Sequence, residues 1–240
     1  MSAQELALEV IARLRAFTNQ KRQVATANYF PSAQKNLGIA AKDMRSVVRD
    51  LKQRLKTREP AEILAVALAI IDQNTLEGRQ AAYEIVASHR AGRESLNAAK
   101  LRRLGRGIDN WASVDGFACC LAGVAWREGR IADAEVAKWA HSKNRWWRRA
   151  ALASTVALNT PARGGHGDVK RTLAVCKLLV GDHDDMVAKA MSWALRALVR
   201  WDRSAVAAFI EKHKSWLSKR VIREVNNKLR SGRKSGRQSL

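Results

Sequence analysis

The residues whose spacing suits catalysis are Trp111 and Asp115, four positions apart in the run Trp-Ala-Ser-Val-Asp. Residues four apart lie on one face of an α-helix, so a helix here would point an indole and a carboxylate the same way. A surface that only binds phosphate gains nothing from a carboxylate, because the two negative groups repel each other. The pair therefore suits an enzyme that develops positive charge on a nucleic-acid sugar or base. The alternative is a core tryptophan beside an exposed aspartate near a helix start.

A first basic cluster, Arg-Trp-Trp-Arg-Arg, occupies residues 145–149. On a helix Arg145 and Arg149 share a face. The planar guanidinium suits phosphate oxygens, and basic residues interleaved with aromatic ones indicate nucleic-acid binding. Arg148 and Arg149 are therefore candidate contacts to a nucleic-acid backbone. The alternative is a solvated basic face with one tryptophan in the core.

Two further basic clusters follow in the second half of the chain. Trp193 and Arg196 are three residues apart and share a helix face. A repeat of about forty residues would align Arg149 and Arg196 along one groove. Lys219 and Arg220 lie near the last predicted helix, and a solvated charge run is the alternative interpretation of that pair.

The composition limits the class of partner. The 240 residues include 44 Lys and Arg against 22 Asp and Glu, a net charge of +22. This excess favours a polyanion, with nucleic acid first and an anionic membrane surface second, although a basic protein without a special partner stays possible. The three cysteines show neither metal-ligand nor disulfide spacing, which favours a reducing, cytoplasmic compartment. We expect no signal peptide and no membrane-spanning segment.

The elements that must position these residues are helices, since no alternating strand pattern occurs. Ser2 and Glu5 form a capping box that opens the first helix, and Pro31 stops a second helix at Phe30. Capping residues such as Asn144 and Asp184 begin others. The remaining predicted helices cover residues 41–56, 60–72, 76–89, 93–104, 111–127, 131–141, 145–158, 169–179, 185–199, 203–213 and 216–229.

A weak internal repeat indicates how these helices are arranged. Arg-Ala-Ala at 149–151 recurs forty residues later as Lys-Ala-Met, which is typical of two-helix HEAT-like units. We predict an all-α superhelical solenoid of HEAT-like repeats with a concave basic groove, with an ordinary helical bundle as the alternative. Residues 1–229 would form a single domain, residues 161–167 a flexible loop, and residues 230–240 a disordered basic tail.

In this order and spacing, the clusters resemble the AlkD-type alkylpurine DNA glycosylases, which are built of HEAT-like repeats. The resemblance extends from Ala27 to Lys228. Two departures are the segment 108–110, where a bulky aromatic residue is expected, and the added glycine-rich loop and basic tail. The similar segments are residues 27–30, 37–39, 111–115, 138–140, 146–151, 192–196 and 217–220.

The resemblance implies a role for each matched position. Asp115 corresponds to the catalytic carboxylate, Trp111 and Trp193 to the indoles that flank the modified nucleotide, and Tyr29 to a tyrosine near the same cleft. The residues that the resemblance and the basic clusters assign to the DNA backbone are Arg148, Arg149, Arg196, Lys219 and Arg220.

The expected function is removal of N3- or N7-alkylated purines from duplex DNA by hydrolysis of the N-glycosidic bond, which leaves an abasic site. The expected enzyme needs no metal or cofactor, works as a monomer, and is cytoplasmic, or nucleoid-associated in a bacterium. One alternative is a non-catalytic HEAT-repeat binder of damaged or branched DNA. Another is a HEAT-type scaffold for an acidic protein. Asp115 together with two tryptophans favours the enzyme.

Overall fold

The computed structural model describes residues 1–29 and 31–235. Within these residues the protein is all-α, as predicted, and extended backbone pairs only in an isolated parallel bridge between Lys35 and Thr75. The helices are α1 Ala3–Arg15, α2 Gln20–Tyr29, α3 Ala41–Leu55, α4 Pro60–Asp72, α5 Leu76–Ser88, α6 Arg90–Glu94, α7 Ala98–Leu104, α8 Trp111–Phe117, α9 Gly123–Arg127, α10 Asp133–Ala140, α11 Arg145–Asn159, α12 Val169–Leu178, α13 Asp185–Leu198, α14 Arg203–His213 and α15 Lys219–Ser231.

Side-chain caps explain why most of these helices begin where they do. Ser2 accepts a hydrogen bond from the Glu5 amide while the Glu5 carboxylate accepts one from the Ser2 amide, so the predicted capping box is confirmed. Asn144 and Asp184 cap α11 and α13, also as predicted. Such caps satisfy amide groups that the first turn of a helix leaves without partners.

Some predicted helix boundaries were wrong. The single helix over 93–104 is two short helices, because the Asn97 side chain accepts a hydrogen bond from the Lys100 amide and starts α7 there. The last helix begins three residues later than predicted because Ser218 caps it. The helical run over 111–127 contains a π-helical segment, Ala118–Ala122, a form that often occurs near functional sites.

The end of the chain differs slightly from the predicted tail. Helix α15 continues through Arg230 to Ser231 and ends at Gly232, whose positive φ of 71° suits glycine. Residues 236–240 of the predicted tail lie outside the described residues, and so does Phe30, the predicted last residue of the second helix. Disorder of the tail stays a prediction.

The chain forms two compact units, residues 1–121 and 122–240. In the first unit α3, α5 and α8 pack in one row, and α1, α4 and α7 pack in a second row. In the second unit α11, α13 and α15 form one row, while α12 joins α10, α11 and α13. Two rows of successive helices are typical of helical repeats. Superhelical curvature, a concave groove and a single domain stay predictions.

The loop after α11 is tied down by its neighbours. A 3-10 turn, Pro161–Arg163, begins it, and the Arg127 guanidinium donates to the carbonyl oxygens of Ala157 and Arg163 at 3.2 and 2.6 Å. Backbone bonds from Gly165 and Gly167 close it further. The loop predicted to be flexible is therefore extensively hydrogen-bonded.

The cysteines occupy packed positions in the described chain. Cys119 and Cys176 are buried and Cys120 is half-buried, and within the described residues none of the three forms a disulfide bond. Burial raises the pKa of Cys176, so this thiol stays protonated at neutral pH and is unreactive. Within the described residues, no helix is both long enough and apolar enough to cross a bilayer.

Candidate functional site

Helix α8 brings the predicted indole and carboxylate together. Fully buried Asn110 caps it, because its side-chain oxygen accepts a hydrogen bond from the Ser113 amide at 2.9 Å. Trp111 is therefore the first helical residue, and Asp115 follows one turn later on the same face. Both side chains are half-buried. The helix prediction for this pair is confirmed, whereas its catalytic role stays a prediction.

Tyr29, from the end of α2, packs against this indole. The rings of Tyr29 and Trp111 meet edge to face, with centroids 5.4 Å apart and planes at 88°. This is a favoured geometry for aromatic pairs. The Tyr29 side chain is 72% exposed, so its phenol remains accessible from solvent. The structure thus brings Tyr29, from a distant segment of the sequence, against Trp111, which shares a face of α8 with Asp115.

A hydrogen-bonded carboxylate holds the loop after α2 against the start of α8. Asp109 Oδ1 accepts from Ser32 Oγ at 2.6 Å and from Gln34 Nε2 at 2.9 Å, and Oδ2 accepts from the Ala33 amide at 2.5 Å. The Asn110 side chain adds a further bond to Oδ1 at 3.1 Å. Residues 32–34 are therefore fixed directly beside the first turn of α8.

The donors to this carboxylate set its titration. Partial burial acts to raise the pKa of Asp109, but the hydrogen bonds from Ser32, Ala33, Asn110 and Gln34 together outweigh burial and hold the pKa below its usual range. The group is consequently a carboxylate throughout the neutral pH range. Every donor in this set is uncharged, so no cation cancels its negative charge within the hydrogen-bonded cluster.

Ser113 joins the same network from inside α8. Its hydroxyl donates to Gln34 Oε1 at 3.0 Å and accepts from Asn110 Nδ2 at 3.1 Å. Gln34 and Ser113 are both buried. Sequence reasoning treated segment 108–110 only as a departure from the expected pattern and missed this network. The cap-forming Asn110 was a local signal, but partners more than seventy residues away left none.

The segment 37–39, also quoted for the resemblance, is held in a similar way. The backbone amides of Leu37 and Ile39 donate to the Glu77 carboxylate at the start of α5, at distances of 3.0 to 3.2 Å. Gly38 between them has a φ of 68°, and a side chain there would meet the Asn19 carbonyl oxygen and the Gln23 amide. The tight turn explains why glycine occupies this position.

In the second unit, Trp193 and Arg196 lie on α13, and both are half-buried. Arg196 Nε donates to Ser192 Oγ at 3.1 Å and lies 4.0 Å from Glu224 Oε2. Ser192 in turn donates to the buried Glu224 carboxylate at 2.6 Å. Burial lowers the pKa of Arg196, and the charge of Glu224 opposes that change. Arg196 is thus already engaged inside its own unit.

Arg149 and Arg148 on α11 bind protein groups. Arg149 is only 5% exposed and donates through Nη1 to the Met186 carbonyl oxygen at 2.6 Å. Arg148 Nε donates to Asp182 at 2.6 Å, and its Nη1 donates to the carbonyl oxygens of Ser142 and Lys143 at 3.0 and 2.9 Å. Arg149 therefore joins α11 to the first turn of α13, and Arg148 joins α11 to two loops. Contact with DNA stays a prediction for each.

The two basic residues at the start of α15 differ in exposure. Lys219 is exposed, whereas Arg220 lies 3.2 Å from Asp185 and 3.7 Å from Glu224. Asp185 also pairs with Lys189 at 2.7 Å. The Lys189 hydrogen bond is the largest of the effects that hold the pKa of Asp185 below its usual range. Among the described residues, no group of three or more His, Cys, Asp or Glu is placed to hold a metal ion.

Fold and site together define a class: an all-α protein with a two-row helical arrangement, a large positive charge, and an aromatic pair beside a carboxylate. The family model for DNA alkylation repair enzymes matches residues 10–229. The match covers most of the chain, including every predicted site residue. The chain belongs to the DNA alkylation repair enzyme family, and it has a role in DNA repair. Comparison with curated proteins gave no match.

Proposed function

We propose that this protein is a monofunctional DNA glycosylase that hydrolyses the N-glycosidic bond of N3- and N7-alkylated purines in duplex DNA. The observation that carries the proposal is the cluster of Tyr29, Trp111 and Asp115, in which an edge-to-face aromatic pair lies one helical turn from a half-buried carboxylate. Membership in the DNA alkylation repair enzyme family supports it.

The chemistry of the lesion explains why a carboxylate is useful. Alkylation at N3 or N7 gives the purine a formal positive charge, so the base leaves as a neutral molecule without being protonated by the enzyme. As the bond breaks, positive charge develops on the deoxyribose, as in glycoside hydrolysis. Asp115 stabilises that charge and orients a water molecule. The water adds its oxygen to the sugar and releases one proton.

The aromatic side chains select cationic lesions. An indole face attracts a cation by about 0.5–2 kcal/mol, so Trp111 favours a charged purine over a neutral one. Tyr29 supports the indole through the edge-to-face contact and offers an exposed phenol beside it. For Trp193, on α13 of the second unit, the proposed contact with the nucleotide rests on the family resemblance.

The residues proposed to contact the DNA backbone differ in how far their side chains already bind other protein groups. Exposed Lys219 requires no rearrangement to meet a phosphate. Arg196 uses Nε for its bond to Ser192, and a guanidinium has five N–H donors, so one group can serve both protein and phosphate. The same sharing is proposed for Arg148, Arg149 and Arg220. We propose that the protein acts as a monomer on chromosomal DNA in the cytoplasm.

The direct test is to incubate duplex DNA methylated at N7 of guanine and N3 of adenine with the protein and identify any released base by mass. We expect Asp115→Asn to lower the single-turnover rate about 100-fold or more, while binding to the same DNA is unchanged. Asp50→Asn is the matched control, because it removes the same charge from an exposed position paired with Arg13. It should keep the wild-type rate.

Two results would overturn the proposal. One is a wild-type protein that releases no base from DNA that it binds, which would leave the non-catalytic binder of damaged DNA. The other is an Asp115→Asn variant that retains the full rate of release. Counting abasic sites in the recovered DNA measures base release independently of DNA binding.

A further inference from the structure

A basic groove lies in the first unit, lined by residues other than Tyr29, Trp111 and Asp115. It encloses about 1100 Å³ between α3, the second half of α5 and α6. Buried Val48, Leu55 and Ile85 contribute to its apolar lining. Its basic lining residues are Arg45, Arg49, Lys52, Lys56 and Arg90. We call this feature the α3 groove.

Helix α3 separates its charges onto two flanks. The basic residues that line the groove follow one another at intervals of four, three and four positions, from Arg45 to the C-cap residue Lys56, so they share one side of the helix. The other flank faces α1, where Asp50 pairs with Arg13 and Arg54 pairs with Glu9. The charges on that flank are therefore largely cancelled within the protein.

Three of the groove cations have no ion-pair partner among the described residues. Lys52 lies 3.5 Å from Glu84, and Arg90 lies 3.0 Å from Glu94. Arg45, Arg49 and Lys56 are exposed, and in the described part of the chain no carboxylate lies within ion-pair distance of them. Bringing three uncompensated charges together on one helix flank is unfavourable unless an anion occupies the groove.

We propose that the α3 groove binds the phosphodiester backbone of one DNA strand and so gives the first unit its own phosphate-binding surface. Lys56 follows Arg45 by eleven positions, which corresponds to about 16 Å of helix. This length matches the rise of roughly five nucleotides of one strand. A row of like charges on an open surface fits a regularly spaced polyanion, and it recognises backbone rather than bases.

The proposal deepens the proposed function, because it rests on DNA as the substrate and adds a contact surface that the basic sequence clusters did not reveal. Every cation that sequence reasoning assigned to the DNA backbone lies in the second unit. The α3 groove lies in the first unit, which also holds Asp115. A grip in that unit would restrain the strand relative to Asp115 without depending on the second unit.

The test measures how the affinity of the full-length protein for unmodified duplex DNA depends on salt. Each phosphate contact contributes close to one unit to the slope of log affinity against log salt. We therefore expect the triple variant Arg45→Gln, Arg49→Gln and Lys56→Gln to lower the slope by about two to three units. Binding at low salt should weaken at least tenfold.

A second triple variant provides the control for net charge. Lys177→Gln, Arg203→Gln and Lys212→Gln remove three exposed cations of α12 and α14, outside the groove. We expect these changes to reduce the slope by less than one unit. Equal slopes for the two triple variants would overturn the proposal, and so would a groove variant that binds DNA like the wild type, which would point to an acidic protein partner.

The base-release and salt-dependence experiments distinguish failure of the groove proposal from failure of the glycosylase proposal. If wild-type protein releases methylated bases but the groove variant keeps the wild-type slope, only the groove proposal is wrong. If no base is released but the groove variant loses the expected slope, the groove stands and the glycosylase is wrong. Unchanged thermal unfolding of both triple variants, expected for exposed residues, excludes misfolding as the cause.

Discussion

Two groups of carboxylates, one in each compact unit, have different partners. In the first unit, Asp109 and Glu77 accept hydrogen bonds from neutral hydroxyl, amide and backbone groups. In the second unit, Asp185 and Glu224 lie within ion-pair distance of lysines and arginines. Neutral donors leave a negative charge in place, whereas ion pairs cancel it.

This difference changes how the net charge is distributed. Arg196 and Arg220, two of the arginines that the sequence assigned to phosphate, lie close to the Glu224 carboxylate. Arg45 and Arg49, which no sequence motif singled out, line the α3 groove with no carboxylate within ion-pair distance among the described residues. A basic residue next to a tryptophan is therefore a weaker guide to phosphate binding than the location of the nearest acid.

The largest expected effect comes from removing the buried carboxylate of Glu224 in the second unit. Glu224 is 5% exposed, and Glu224→Gln leaves Arg196 without its nearest carboxylate while Arg220 and Lys234 lose a shared partner. We expect the free energy of unfolding to fall by about 3 kcal/mol, because the half-buried guanidinium of Arg196 remains without its nearest carboxylate. Denaturant titration measures this quantity.

The matched control for this change is Glu211→Gln, which removes the partner of Lys214 at an exposed position. An exposed pair contributes less than about 1 kcal/mol, so little should change. If the two variants lost the same free energy of unfolding, burial would not determine how much an ion pair of the second unit contributes to stability.

A smaller effect is expected from Asp109→Asn in the first unit. The amide replaces one of the two oxygens that together accept four hydrogen bonds with an NH2 group, which can only donate, and this should cost about 2 kcal/mol at neutral pH. The folded-state pKa of Asp109 lies below its ordinary value of 3.8, so its contribution is full above that value and is lost as the pH falls through the folded-state pKa.

Urea titrations of wild type and Asp109→Asn at several pH values check this prediction. The stability difference should be constant from pH 7 to about pH 5 and shrink below about pH 4. If the difference in stability between the two proteins stayed the same down to pH 2, the negative charge of Asp109 would not be what stabilises the network. Ser113→Ala, which removes only one hydroxyl from the network, should cost less at every pH.

The smallest effect is expected for Asp185→Asn. Its side chain is 53% exposed and its pairs with Lys189 and Arg220 are open to solvent, so the loss should be below about 1 kcal/mol. Salt screens exposed pairs, so the loss should vanish in 1 M NaCl. The loss in Asp109→Asn should persist there, because neutral donors are involved. If salt changed the stability loss of both variants in the same way, the two groups of carboxylates would not differ in how their partners stabilise them.

Much of the secondary structure and part of the site could be predicted from the sequence. Caps such as Ser2 and Asn144 act within a few residues, so they are visible locally. The spacing of Trp111 and Asp115 fixed their common helix face before any packing was known. Resemblance over most of the chain led to the family that the match over residues 10–229 shows.

Burial of the basic residues could not be predicted in this way. Arg149 and Arg145 occupy the same predicted helix face, yet Arg149 is 5% exposed and bonded to Met186, whereas Arg145 is exposed. The difference depends on α13 packing against α11. A helical period shows which residues share a face, but the neighbouring helix decides which part of that face is covered.

The sequence alone thus determined most of the helices, caps such as those of Ser2 and Asn144, and the pairing of an indole with a carboxylate on α8, because each of these depends on residues within one or two turns. Only the tertiary structure decided that Tyr29 meets Trp111 and that Asp109 holds residues 32–34. It also decided that Arg45, Arg49 and Lys56 line the α3 groove with no carboxylate within ion-pair distance in the described part of the chain. Those contacts join segments tens of residues apart, and their energies depend on burial and on the distance to the nearest opposite charge.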